Sequence, residues 1–176
     1  MTRHIMIDLE TMDNKPTSAI TAIGAVAFTL EEGIIEPHFY QKVDLQSSID
    51  VGLTVSGSTI EWWLGQSEEA RAEMMKPGVR IDSGLVNFFD WYKAVEGCEV
   101  WGNGASFDNP IMDNAYAKCG LSAPWQHFNH RCYRTIKVLG RDIPKVEPTI
   151  AHHALDDAFA QAQHLINICK AKGINP

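Results

Sequence analysis

No apolar run in the chain approaches the roughly 20 residues that cross a bilayer, so the sequence predicts no membrane span and no membrane partner. The N-terminus also lacks the basic-then-apolar pattern of a secretory signal, and a soluble, cytoplasmic protein is the expectation. Cysteine is scarce and scattered. Cys98, Cys119, Cys132 and Cys169 form no C-x-x-C pair, which argues against a disulfide framework or zinc knuckle and for reduced core thiols. Basic charge is in deficit as well. A net charge of −7 argues against a protein that coats nucleic acid non-specifically, because such binding draws on counterions released around basic surfaces. It leaves open an enzyme whose local acidity is cancelled by bound metal. Internal repeats and low-complexity segments are missing too. What is present is ordinary: 45% hydrophobic and 21% charged residues match globular usage, and 176 residues suffice for one domain, 1–176, with a substantial core.

The densest chemistry lies near the start. Ile5-Met6-Ile7-Asp8-Leu9-Glu10-Thr11 is an apolar strand that runs into two carboxylates. Side chains alternate faces along a strand, so Asp8 and Glu10 point the same way while Leu9 points into the core. Two parallel carboxylates repel, and either one is protonated or both share a cation. An all-oxygen donor pair suits a hard divalent ion, Mg²⁺ or Mn²⁺, which keeps several waters and also binds substrate phosphates. The plainer alternative is a strand end whose acids face water.

Beyond a polar loop at 13–18, Ile20 to Phe28 is apolar and β-branched, and Glu31-Glu32-Gly33 turns it into a third strand over Ile34 to Val43. Three strands joined by short turns predict an antiparallel meander. Asp44 to Ser58 reads as irregular, and Ser58-x-x-Glu61 as a capping box opening a helix at Ile60-Glu61-Trp62-Trp63-Leu64. Ser67 to Met75 is a second short helical piece, stopped by Pro77-Gly78. Leu85, Val86, Phe88, Phe89, Trp91 and Tyr92 recur at helical spacing, which makes Ser83 to Glu96 an amphipathic helix with an aromatic core stripe. Cys98 to Trp101 reads as a short central strand. From Phe107 a helix runs to Gly120, so Asp108 sits where a strand end meets a helix start. Cys132 to Leu139 reads as helical, and Ala154 to Ala171 as a long final helix closed by Gly173. A meander followed by alternating helices and a further strand predicts a mixed α/β domain with helices covering the sheet.

A second cluster of potential ligands, His152-His153-Ala154-Leu155-Asp156-Asp157, opens that final helix. His153 and Asp157 are four apart and would share a helix face, whereas His152 and Asp157 are five apart and would diverge if both were helical. His152 therefore belongs more naturally on the loop ahead of the helix, leaning over a site that Asp157 enters. The plain alternative makes the acids partners of the helix dipole and the histidines surface residues. Arg131, Arg134, Lys137, Arg141 and Lys145 crowd into one short segment whose only acid is Asp142. That segment is either a patch that tracks phosphates or a solvated helix face.

Taken together, these clusters resemble the DEDDh exonucleases, the superfamily of polymerase proofreading exonucleases, ribonuclease T and oligoribonuclease. The D-x-E-T motif appears as Asp8-Leu9-Glu10-Thr11, the Phe-Asp pair as Phe107-Asp108, and H-x-A-L-x-D as His152 to Asp157. The variant Trp101-Gly102-Asn103-Gly104, with Trp62-Trp63-Leu64 upstream, is similar to the branch containing the nuclease domain of exonuclease VIII from enterobacteria and their phages. Two departures stand out. Many relatives carry His-Asn where Asn103-Gly104 stands here, and Thr or Ser where Met12 stands.

The resemblance implies a ribonuclease H-like fold and a 3′-5′ exonuclease that hydrolyses phosphodiester bonds at the 3′ ends of single-stranded DNA or RNA, DNA slightly favoured, releasing nucleoside 5′-monophosphates. It also implies two ions, Mg²⁺ or Mn²⁺, with Asp8 shared by both, Glu10 and Asp157 on one, and Asp108 on the other through water. His152 would be the general base, histidine being the side chain suited to proton transfer near neutral pH. Candidate substrate contacts are Thr11, Met12, Asn103, Phe107, Arg131 and Arg134, with Met12 and Phe107 flanking the terminal base. Trp62 and Trp63, beside Ile60 and Leu64, read rather as core. His127-x-x-His130 lacks a second ligand pair and reads as a loop rather than a zinc site. A homo-oligomer, as a dimer, is left open. Two other classes compete: a catalytically weak nucleic-acid-binding or interaction module, and a phosphohydrolase of small phosphoesters.

Overall fold

The computed structural model describes residues 2–176. Its sheet is built outward from β2 (Ile20–Thr29), a strand buried along its whole length, as its unbroken apolar sequence requires when both faces are covered. Antiparallel to it on either side run β1 (His4–Thr11) and β3 (Gly33–Lys42), the meander expected from the short turns. Beyond β1 lie β4 (Glu99–Gly102) and β5 (His130–Cys132), both parallel to β1, giving the order β3-β2-β1-β4-β5. This is the mixed α/β, ribonuclease H-like arrangement that the motifs imply.

Strand alternation sorts the chain into two layers. Ile5, Ile7 and Leu9 face a core filled from α1 (Leu45–Asp50), α4 (Ile81–Ala94) and α5 (Asp108–Lys118), with Leu85, Phe88, Ile111 and Tyr116 among its members. Met6 faces the other way, toward Val26, Phe28 and Trp101, and toward α6 (Tyr133–Leu139) and α7 (Ala154–Lys172) through Tyr133, Ala158, Ala162 and Leu165. Asp8 and Glu10 continue the Met6 row. The second core thus gives way, at the C-terminal end of β1, to two carboxylates.

Three local expectations need correction. The stretch after β3 is not irregular: α1 forms there, with the Asp44 side chain accepting from Ser47 N at 2.8 Å. Helix α2 (Gly57–Leu64) begins earlier than a Ser58 capping box predicts, because Ser56 is the cap and accepts from Thr59 N at 3.2 Å. The helix expected over Cys132 to Leu139 forms as α6, but the edge strand β5 that leads into it, paired with β4, was not anticipated; three residues are too few to leave a period-2 signature. A further short helix, α3 (Glu68–Met74), is capped by Ser67, and α7 ends on Gly173 in the left-handed conformation at φ 64°, as glycine allows. No described helix is long and apolar enough to cross a membrane, and the four cysteines are unpaired.

Candidate active site

Glycine at position 24 is what lets the site assemble. It lies opposite Asp8 on the adjoining strand, and a Cβ there would overlap the backbone of Ala154 and Leu155. The start of α7 therefore rests directly on the sheet, which brings Asp157 beside the acids of β1. One donor oxygen from each of Asp8, Glu10 and Asp157 lies within 4.8 Å of the others. An isolated glycine inside a strand marks such a close backbone approach, so the I-G-A-V stretch carried a usable signal.

Asp108 joins from the far side. It opens α5 and is 1% exposed; Oδ1 accepts from Leu9 N at 3.2 Å and Oδ2 from Asn103 N at 2.7 Å. Gly102 leaves it room, since a Cβ there would come within 2.9 Å of Asp108 Oδ2. With both oxygens bonded to backbone, Asp108 is oriented more firmly than the other three acids, and it stands just outside their cluster.

The four carboxylates disturb one another. Burial first, then the charges of Asp108, Glu10 and Asp157, raise Asp8 well above the ordinary carboxylate range. Glu10 is pushed up to about 7, by burial and by Asp157, with the Lys42 ammonium opposing. Asp108 is pushed up to about 6 by burial, against its backbone hydrogen bonds, and Asp157 is raised by burial. Such a set is satisfied by a cation in its midst, and all-oxygen donors converging within 4.8 Å fit a hard divalent ion.

Raised acids set a sign for stability. A folded state that favours the protonated form gains stability from Glu10 below its ordinary value of 4.5 and loses it as pH rises through about 7. Glu10→Gln is therefore expected to melt at increasingly higher temperature than wild type as pH goes from 5 to 8 in chelator. A gap that is constant with pH would show that Glu10 is not under strain.

His152 and Asp157 meet as the loop-and-helix reading requires. His152 sits ahead of α7 with φ 60°, a left-handed conformation uncommon for non-glycine residues and more tolerated by histidine than by most. Its ring packs edge-on against Trp62 with centroids 4.9 Å apart. His153 caps the helix instead, stacked on Tyr40 with centroids 4.4 Å apart and its Nδ1 3.5 Å from Asp156. Asp156 in turn accepts from Ile150 N at 2.9 Å, so the second His-Asp pair holds the loop.

A cavity of about 530 Å³ opens above the acids, lined by Asp8, Glu10, Asp157 and His152 together with Thr11, Asn103, Phe107, Trp62 and Gln161. Thr11, Asn103 and Phe107 thus reach the cavity, and Met12 and Arg131 do not. Met12 is 5% exposed and packed in the core, because the chain turns inward once β1 ends. Arg131 pairs with Glu99 at 2.7 Å and donates to the carbonyls of Phe128 and His130, which makes it a clamp on the sheet edge. Arg134 is intermediate: it donates to the Asn103 carbonyl at 2.7 Å and so braces the loop beside Asp108.

The tryptophan pair divides in two. Trp63 is core, donating to the Thr11 carbonyl at 3.0 Å, whereas Trp62 is 46% exposed at the cavity rim. Gln161, absent from the motif reading, donates to Asp8 Oδ1 at 2.7 Å. His130 lies against Asp113 at 3.3 Å and packs on Trp125, with no zinc-binding group around it among the described residues.

Residues 3–169 match the family described as the 3′-5′ exoribonuclease Rv2179c-like domain. The chain belongs to that family. That family is described by a 3′-5′ exoribonuclease activity. The chain is similar to the exodeoxyribonuclease of Enterobacteria phage T4, 30% identical over 120 residues, which covers 61% of this chain and 52% of the phage protein; the chain spans about half the length of that relative. Its fold is shared with the nuclease domain of 3′hExo, a DEDDh family member bound to rAMP, at a TM-score of 0.65 and 15% identity, covering 96% of this chain and 92% of that one. It is shared also with E. coli Exonuclease I bound to single-stranded DNA in a zinc-ion form, at a TM-score of 0.70 and 13% identity, covering 98% of this chain and 41% of that one.

Proposed function

We propose that this Rv2179c-like domain removes nucleotides from the 3′ end of a single strand, hydrolysing the terminal phosphodiester to release a nucleoside 5′-monophosphate. The observation that carries the reading is the convergence of Asp8, Glu10 and Asp157 within 4.8 Å on the floor of a cavity that His152 overlooks. Asp8, Glu10, Asp108 and Asp157 would hold two divalent ions, Mg²⁺ or Mn²⁺. When bound, such ions supply charge to stabilise the attacking and leaving oxygens of an in-line displacement. His152 would remove a proton from the attacking water, and Asp157, in the first turn of α7, would hold a cation beside it. The backbone bonds to Asp108 keep that acid's geometry constant while substrate enters. A dimer finds no support in the comparisons, and the reading needs only one chain.

Sugar preference is an experimental question. The family description names RNA and the phage relative's name specifies DNA, so the substrate class proposed is the single-stranded 3′ end of either. Matched DNA and RNA strands, 5′-labelled and digested with Mg²⁺ or Mn²⁺, should give a ladder shortening one nucleotide at a time with mononucleotide products. Internal fragments would overturn the exonuclease reading for this chain. Faster release from a nitrophenyl phosphodiester than from an oligonucleotide would favour a small-phosphoester hydrolase, and binding without turnover would favour an interaction module.

Trp62 supplies a test of where the strand lies. An exposed indole at the rim of a nucleotide-sized cavity is a stacking platform, and base–aromatic stacking contributes about 1–3 kcal/mol per base. Trp62→Ala should therefore weaken oligonucleotide binding roughly 5- to 150-fold while metal binding is unchanged. Unaltered affinity would return Trp62 to a purely structural role, as a neighbour of His152.

A further inference from the structure

Helix α7 presents two cavity residues one turn apart, Asp157 and Gln161, and only the first belongs to a recognised motif. Gln161 Nε2 donates to Asp8 Oδ1 at 2.7 Å. Among the described residues no other side chain hydrogen-bonds Asp8. Glu10 is also without a side-chain donor there, and Asp108 is oriented by backbone amides instead. The other end of the Gln161 amide is unusual: Oε1 is fully buried and has no hydrogen-bond partner. A buried acceptor left unpaired costs about 1–3 kcal/mol, so it calls for a ligand-borne donor or a special explanation.

We infer that Gln161 is a positioning residue for the cation site: its Nε2 fixes the rotation of the Asp8 carboxylate, and its Oε1 accepts a hydrogen bond from a hydrated divalent cation held by the acids. The inference rests on the functional reading above. The physical case is the division of labour between the two ends of one amide. A carboxylate that would hold a cation does so best when its rotation is fixed, and Asp8 is a short side chain on a strand with no backbone amide turned toward it in the described hydrogen bonds. Gln161 makes that fixation from α7, the same helix that carries Asp157, so the two ligands are held at one mutual geometry. A glutamine does this without adding a fifth negative charge to four crowded acids, which a glutamate at the same position would. The free Oε1 is then explained as the half of the amide that waits for the cation's hydration shell.

The test uses Mn²⁺ alone, titrated calorimetrically into the metal-free full chain. Partners that orient a metal ligand typically contribute 10- to 100-fold in affinity or activity, so Gln161→Leu and Gln161→Met should each bind Mn²⁺ about 10- to 100-fold more weakly than wild type. Their melting temperatures in chelator should stay near that of wild type, because losing the unpaired Oε1 and losing the bond to Asp8 act in opposite directions. Turnover should fall through kcat, with KM for the oligonucleotide little changed. Wild-type Mn²⁺ affinity in both variants would overturn the inference, whatever their activity. Should Gln161→Leu fail to fold, Gln161→Met, which keeps the unbranched stem of glutamine, still decides. Failure of wild type itself to bind Mn²⁺ would sink the functional reading instead, so the two failures are separable.

Discussion

Asp8→Asn is expected to abolish nuclease turnover and, in chelator above neutral pH, to raise the melting temperature. Asparagine keeps the shape of aspartate and can still accept from Gln161, which removes loss of packing as an explanation. What disappears is charge. Asp8 is half-buried on the cavity floor and is held far above the ordinary carboxylate range by burial and then by Asp108, Glu10 and Asp157. In the metal-free fold its ionised form is therefore destabilising, and the cost is absent at low pH, where the group is protonated in folded and unfolded chains alike. Stability should thus rise in the variant only as pH climbs, and the wild type should recover the difference when a divalent ion is added. Turnover should drop by at least the roughly 10²- to 10³-fold that follows removal of one electrostatic contact to a transition state. Single-turnover digestion with excess enzyme, beside thermal melts with and without Mg²⁺, measures both effects. Appreciable turnover, or a melting temperature that falls at pH 8, would remove Asp8 from the cation site.

The second large effect separates two neighbouring histidines. His152→Ala should lower turnover roughly 10²- to 10⁴-fold, the usual contribution of positioned proton transfer, with Mn²⁺ affinity preserved. His153→Ala should cost far less in turnover and act on stability instead. The reason is in their surroundings: His152 faces the cavity beside Trp62, and His153 is stacked on Tyr40 next to Asp156. If His153→Ala proves the inactive variant, with a normal melting temperature, the base has been assigned to the wrong ring and Asp156 must be examined as a ligand.

Much of this site was visible as one-dimensional pattern because its parts lie at the ends of regular elements. Asp8 and Glu10 share a face by strand alternation alone, Asp108 marks a helix start through the Phe107-Asp108-x-Pro110 sequence, and the offset from His152 to Asp157 separates a loop residue from a helical one. Short elements were harder. Helix α1 spans six residues and β5 three, lengths at which periodicity has no full cycle to show, so their placement came from capping by Asp44 and from pairing with β4. Residues judged by type alone also went astray: Met12 and Arg131 suit a nucleic-acid contact chemically, yet one is drawn into the core and the other is consumed by Glu99.

The sequence by itself determined the candidates: which acids are available, which pair shares a strand face, and which histidine precedes the helix five residues before Asp157. These are properties of spacing, and spacing along a strand or helix translates directly into direction. Only the tertiary structure decided what surrounds them. That α7 can lie against β2 depends on Gly24 having no Cβ where Ala154 passes. Trp62 reaches the cavity while Trp63 is buried, because adjacent residues on a helix point about 100° apart and the fold chooses which direction is inward. Gln161 meets Asp8 across 153 residues of chain, a contact that no local pattern encodes, since it exists only where a helix from the end of the sequence crosses a strand from its beginning.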